Sequence, residues 1–309
     1  MSIQVPAAAL MIRPRYFGFN EATASTNAFQ TSLANATAEK VWSAARAEFD
    51  EFAEKIQNAG IRLFVFDEAD AGPGYTPDAV FPNNWASFHH DGTVVLYPMM
   101  AENRRSERRP DIIDSLEEHF IIRRRLDLTR AEVQGRYLEG TGSVVFDHVN
   151  RLAYANRSPR TDAGLLDELC VELNYQPFLF DAADTSGKAI YHANVLMALG
   201  EDFVIICSAC LAPGDRLGLL GVLERDGHRI VDISYEQMHR FAGNAIQLES
   251  TKGEKILVMS ESAFRSLNRD QLRQLENRNT LLYSSLSTIE SIGGGSARCM
   301  IAGIHLPTV

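Results

Sequence analysis

"CMIAGIHL", residues 299–306, opens like the first strand of a hairpin whose second strand never follows. Four earlier stretches open in the same way and are completed. They are "NNWASFHHDGTVVLYPM" (83–99), "EGTGSVVFDHVNRLAYAN" (139–156), "HANVLMALGEDFVIICSA" (192–209) and "GNAIQLESTKGEKILVMS" (243–260). Each reads as strand, turn, strand, with turns at Asp91-Gly92, Asp147 to Arg151, Gly200-Glu201-Asp202 and Lys252-Gly253-Glu254. A helical period and a further strand follow each: "RRPDIIDSLEEHF" then "IIRRRLDL", "TDAGLLDELCVELN" then "PFLFDA", "PGDRLGLLGVLERDG" then "RIVDIS", "SAFRSLNRDQLRQLEN" then "TLLYSS". The half that 299–306 lacks stands at the other end of the chain: strand 8–14, helix 37–60, strand 61–67. The two ends are therefore expected to pair. The reading is one α/β domain over 1–309, five pseudo-repeated ββαβ units set radially, with few free sheet edges. Segments 15–36 and 68–80 read as loops, the first as a loop or lid.

Asn84, Glu139, His192, Asn244 and Cys299 lead the five units, at intervals of 55, 53, 52 and 55 residues. Such a period marks a repeat architecture. Equivalent strand ends of a radial array face one centre. A thiol, an imidazole, a carboxylate and amides would meet there, which is the makings of nucleophilic catalysis. Each residue also has an ordinary reading. A free cysteine is commonly a small buried hydrophobe, a lone histidine a structural residue, Glu139 a solvated turn charge, and Asn84 and Asn244 turn formers. The matching repeat positions favour the catalytic reading. So does Gly293-Gly294-Gly295 ahead of Cys299, because glycines let the backbone approach closely. Asn194 is expected on the strand face of His192.

Cys170 lies on the apolar stripe of a helix and reads as core, as does Cys207 by strand alternation. Cys207 and Cys210 form one C-x-x-C without a second pair, a weak zinc signal. The remaining seven histidines show no ligand spacing, so no metal site is expected. Four scattered cysteines predict a reduced, cytoplasmic setting. The apolar run in residues 1–15 is too short for a signal or a membrane span, and no membrane association is expected. A net charge of −10 argues against a nucleic-acid partner. The basic runs 103–109 and 121–127 read as solvated or ion-paired faces. Homo-oligomerisation is left open.

"FPNN" (81–84), "LEG" (138–140), "YHAN" (191–194) and "GGGSARCM" (293–300) occur in an order that resembles the guanidino-group modifying, or pentein, superfamily. That superfamily has a five-bladed α/β-propeller fold and includes arginine deiminases, dimethylarginine hydrolases, amidinotransferases and succinylarginine dihydrolases. The chain looks most like its citrulline-utilisation hydrolase group. The resemblance implies Cys299 as nucleophile, His192 as general acid and base, Glu139 as its carboxylate, a small amino-acid substrate and no cofactor. Members that bind a guanidinium usually carry an aspartate where this chain has Asn84, and the arginine deiminases carry a second where it has Asn194. An all-donor cation wants carboxylates, whereas an amide both donates and accepts and suits a neutral ureido group.

The sequence therefore predicts a hydrolase of a ureido or guanidino C–N bond, with citrulline converted to ornithine, carbon dioxide and ammonia through an S-carbamoyl cysteine. Arginine deiminase, dihydrolase, amidinotransferase and a non-catalytic binding protein are the alternatives, and Asp78 is a candidate for the missing negative charge. A protonated His192 is expected to depress the Cys299 pKa, with backbone N–H groups of 293–298 stabilising developing charge. Asn83, Asn244, Arg298, Arg13, Arg15 and Asn20 complete the candidate substrate contacts.

Overall fold

The computed structural model describes residues 4–31, 37–70, 72 and 75–309, so parts of the two expected loops lie outside the described residues. β1 (Ala8–Arg13) runs parallel to β2 (Arg62–Asp67). The next strands repeat one arrangement. β3 (Ala86–Phe88) is antiparallel to β4 (Thr93–Leu96), which is parallel to β5 (Arg124–Asp127). β6 (Val144–Asp147), β7 (Leu152–Asn156) and β8 (Gln176–Phe180) do the same. So do β9 (Met197–Leu199), β10 (Phe203–Ile206) and β11 (Arg229–Asp232), and β12 (Ile246–Glu249), β13 (Lys255–Ser260) and β14 (Thr280–Ser284). β15 (Ala302–Ile304) then pairs antiparallel with β1, Ala8 opposite Ile304 and Leu10 opposite Ala302. The unfinished hairpin at 299–306 is completed by the N-terminal strand, as expected.

Two details differ from the expectation. The five three-stranded units form four sheets among the described residues, because Ile304 of β15 bridges Phe88 of β3 and joins two units into one six-stranded sheet. Each unit also begins with a tight helical turn, at Pro82–Asn84, Gly140–Ser143, Ala193–Leu196, 241–243 and 297–300. Glycine, alanine and asparagine at these positions disfavour strand. The strand-face argument for Asn194 therefore fails, since it sits in such a turn.

The helices follow the apolar period. Ala38–Asn58 buries Ala45, Phe49, Phe52, Ala53 and Ile56 along one face. That face packs on Met11, Ile256 and Ile289, and each buried phenylalanine contributes about 1.5–3 kcal/mol. Ala163–Leu173 is capped by Asp162, which accepts from Leu165 N at 2.8 Å, and buries Cys170 in the core. The expected single helix over 262–277 is two, Glu261–Ser266 and Arg269–Glu276. The Asn268 side chain accepts from the backbone of Asp270 and Gln271 and starts a new helix there. No helix among the described residues is long and apolar enough to cross a membrane.

Candidate active site

Cys299 lies in the turn that leads into β15 and is buried. The preceding helix, Ser287–Gly293, stops because Gly294 takes a left-handed conformation at φ 63°. Gly295 lies against Phe81, where an added Cβ would come within 2.8 Å of the ring, and 3.3 Å from the Cβ of Cys299. The glycine run thus brings this backbone flush against the aromatic wall of a pocket. Glu290 anchors the run by accepting from Ser296 Oγ and Ser262 Oγ, each at 2.6 Å.

Asn244 holds the cysteine from the neighbouring unit. Its Oδ1 accepts from Arg298 N at 3.1 Å and Cys299 N at 3.3 Å. Its Nδ2 donates to Asn194 O at 2.9 Å and reaches Cys299 Sγ at 3.1 Å. Asn194 Nδ2 reaches the same sulfur at 3.5 Å. Two amide N–H groups therefore face Sγ. The N–H groups of residues 298 and 299 are already taken by Asn244, which narrows the backbone donors open to a developing charge.

Glu139 and His192 form a buried pair, with Nε2 at 2.8 Å from Oε2 of Glu139. Glu139 Oε1 accepts from Met100 N at 3.0 Å, and Arg160 Nη1 lies 3.4 Å from Oε2. Burial alone would raise the Glu139 pKa, but Arg160 and then His192 hold it well below the usual carboxylate range. An ionised carboxylate only accepts, so Nε2 carries the proton and Nδ1 is left with its lone pair. Burial, opposed by Glu139, pushes the His192 pKa down to about 4. The imidazole is thus neutral at rest, not protonated as the sequence reading expects, because desolvation outweighs its carboxylate neighbour. Gly142 leaves room for the ring, since a Cβ there would stand 2.7 Å from Nδ1.

Asp78, Asn84, Arg104, Arg160, His192 and Cys299 line one pocket. Its cavity volume is about 10 Å³, room for one water and no more. Segment 20–31 covers it. Asn20 Nδ2 donates to Asp78 Oδ2 at 2.7 Å, Arg160 Nη2 to Thr23 O at 3.2 Å, Asn27 Nδ2 to Gly293 O at 3.2 Å and Thr31 N to Ser291 O at 2.6 Å. Asp78 is buried with Oδ1 lacking a partner. Burial raises its pKa, and Arg104, 3.7 Å away, opposes the rise. Asn84 Oδ1 accepts from Arg104 Nη1 at 2.9 Å, and Arg104 also forks onto Glu107.

The five leading residues thus meet around one site, with Asn194, Asp78 and Asn20 beside them. Asn83 is buried outside the pocket lining, with both amide atoms unpartnered. Arg13 pairs with Asp50 and Asp67, and Arg15 with Asp70, at the surface. Arg298 lines a different cavity. Arg104 and Arg160 were not legible as site residues. Arg104 lies within the basic run 103–109 and is nonetheless buried, because Glu107 and Asp78 neutralise it. In 121–127 the ion-paired reading holds: Arg124 pairs with Glu172, and Arg125 with Asp114 and Glu117.

A buried cysteine beside amide donors, with an oriented imidazole in the same pocket, is an arrangement that nucleophilic catalysis can use. Residues 13–306 match the family model described as "N,N dimethylarginine dimethylhydrolase, eukaryotic", and the chain belongs to that family, within the pentein guanidino-modifying hydrolases. Among solved structures it is similar to the N-terminal domain of ArgZ, an arginine dihydrolase from the ornithine–ammonia cycle in cyanobacteria, in a cysteine-to-serine mutant bound to substrate. The identity is 17%, the coverage 97% of this chain and 98% of that one, and the TM-score 0.74. AgrE in a binary complex with L-arginine is 15% identical, with 98% of this chain and 40% of that chain covered and a TM-score of 0.74. A dimethylarginine dimethylaminohydrolase carrying an S-methyl-L-thiocitrulline adduct is 13% identical, over 95% and 98% of the two chains, with a TM-score of 0.62. These likenesses show the fold. No curated protein sequence matches the chain.

Proposed function

We propose that the protein hydrolyses the guanidino group of an arginine-type amino acid through a covalent adduct on Cys299. The observation that carries this reading is the buried, unpartnered Oδ1 of Asp78 in the same pocket as Cys299 and His192. A buried carboxylate oxygen calls for an N–H cation, and an arginine-type substrate brings two, its guanidinium and its α-ammonium. Arg160 and Arg104 line the same pocket and are the cations available to the α-carboxylate. The family match supports the reaction class, and the arginine named for ArgZ and AgrE supports the substrate class.

His192 Nδ1 takes the thiol proton as Sγ attacks the guanidino carbon. Amide N–H groups of Asn194 and Asn244 hold the sulfur while its charge builds. The C–N bond breaks, and His192 returns the proton to the departing amine. A water then gives a proton to Nδ1 and attacks the same carbon, which expels the thiolate, and the sulfur takes the proton back from Nδ1. No cofactor enters these steps. The reading takes the five three-stranded units as blades of one closed ring, supported by the pairing of β1 with β15.

A second reading, citrulline as substrate, is favoured by Asn194. Its buried Oδ1 has no partner and offers a neutral acceptor to a ureido N–H. L-arginine, Nω,Nω-dimethylarginine and L-citrulline are to be incubated separately with the enzyme and the products resolved by mass spectrometry. Turnover of either guanidino compound supports the first reading. Ornithine from citrulline alone replaces it with the second. Turnover only with an added acceptor amine would make the protein an amidinotransferase.

A further inference from the structure

A second cavity, of about 70 Å³, adjoins the catalytic pocket without sharing a lining residue. Asn194 lines it and touches Cys299 Sγ, so these two side chains stand between the two spaces. The volume is several times the ~10–15 Å³ that one water needs. Its lining includes Arg298, His89, His148, His305, Gln4 and Gln247, and contains neither aspartate nor glutamate. In a chain of net charge −10, that is an unusual local balance.

Arg298 carries the argument. Arg104 and Arg160 each have a carboxylate within hydrogen-bond or ion-pair range. Arg298 has none among the described residues, and its guanidinium donates only to Ile301 O, at 2.8 Å. Desolvation lowers its pKa to about 10, with only the neighbouring Cys299 acting the other way. Imidazoles crowd the same space. The His148 and His305 rings are 4.2 Å apart, His305 Nδ1 is 3.1 Å from His90 Nε2, and His89 lies 6.2 Å from His148. His148 Nδ1 is taken by Tyr175 at 2.7 Å and His89 Nε2 by Ser87 at 2.7 Å. His89 Nδ1 is buried with no partner at all. The group meets no metal-holding arrangement among the described residues.

We propose that this cavity is a binding site for a small oxyanion of the phosphate or sulfate kind, held by the guanidinium of Arg298 and imidazole N–H groups of His89, His148 and His305. A planar guanidinium fork matches two oxygens of such an ion, and an unpaired charge in a partly dry cavity gains most from a counter-ion. Burial and mutual repulsion keep His148 and His305 neutral at rest, well below the usual imidazole range. A neutral imidazole still donates one N–H, so the site does not require their protonation.

Isothermal titration of inorganic phosphate into the full chain, in a phosphate- and sulfate-free buffer, tests this. The expected result is one saturable site, displaced by sulfate. Affinity falls at least about tenfold in Arg298→Met, is partly retained in Arg298→Lys, and is unchanged in Arg160→Met. Absence of saturable binding to folded wild type overturns the proposal. So does loss in Arg160→Met with full affinity in Arg298→Met, which puts the ion in the catalytic pocket. Zinc binding without phosphate binding overturns it in favour of a metal. If circular dichroism shows Arg298→Met unfolded, Arg298→Lys and His305→Gln decide: wild-type affinity in both overturns the site.

Discussion

Glu139 accepts a 2.8 Å hydrogen bond from His192 Nε2, with both side chains buried. The bond fixes which ring nitrogen carries the proton in the neutral imidazole. In Glu139→Gln the side chain can present its NH2 to Nε2 and turn the tautomer over, placing the proton on Nδ1. Proton transfer by a positioned side chain is worth about 10²–10⁴-fold. The expected outcome is a fall in kcat of about 10²-fold or more with KM little changed, read from steady-state kinetics.

Gly142 makes a separate test of the same geometry. Its backbone is not left-handed, so alanine strains nothing there, yet a Cβ would sit 2.7 Å from His192 Nδ1 and closer still to Asn84 Nδ2. Gly142→Ala should retain a folded far-ultraviolet circular dichroism spectrum and lose about 10²-fold in kcat/KM. Wild-type activity would mean that the imidazole is not held where the structure places it.

Burial pushes His89 down to about 4, against an unfolded value near 6.5. Between those values the unfolded chain binds more protons than the native one, so stability rises with pH through the window and levels above it. The effect from this one group approaches about 3 kcal/mol across the window. Urea midpoints measured from pH 7 down to pH 4.5 should fall, and His89→Gln should flatten the slope. Glu139, held low by Arg160 and His192, acts with the same sign at lower pH: its contribution is lost as pH falls through its native pKa.

A pocket with room for one water cannot admit an amino acid unless its cover moves. Segment 20–31 is held to the body by a few polar bonds, among them those from Asn20, Arg160, Asn27 and Thr31. Such segments open with low free energy. Hydrogen exchange of amides in 20–31 should be faster than in β7 and β10, and should slow by about tenfold or more on saturation with a non-turned-over substrate in Cys299→Ala. Equal protection in both states would remove the lid role.

Much of this was legible in residue order. The apolar stripe at Phe49, Phe52 and Ile56 and the unfinished strand at 299–306 each report a local pattern, and local pattern survives in sequence. The repeat spacing placed Glu139, His192, Asn244 and Cys299 together because equivalent positions in equivalent units converge. Arg104 and Arg160 were hidden. Nothing local distinguishes Arg104 from the charged residues beside it, since its burial depends on Asp78, from a distant loop, as well as on Glu107. The neutral His192 was hidden for a related reason: desolvation is a property of the assembled site. The cluster of His89, His148 and His305 escaped because its spacing fits no ligand motif and only the sheets bring it together.

The account turns on Cys299 bonding to the guanidino or ureido carbon, and intact-protein mass spectrometry of an acid-quenched turnover mixture tests this most directly. The predicted result is an added mass equal to the substrate less its departing amine, located on the peptide containing Cys299 and absent in Cys299→Ala. Undiminished turnover in Cys299→Ala, or an adduct on another residue, would contradict it.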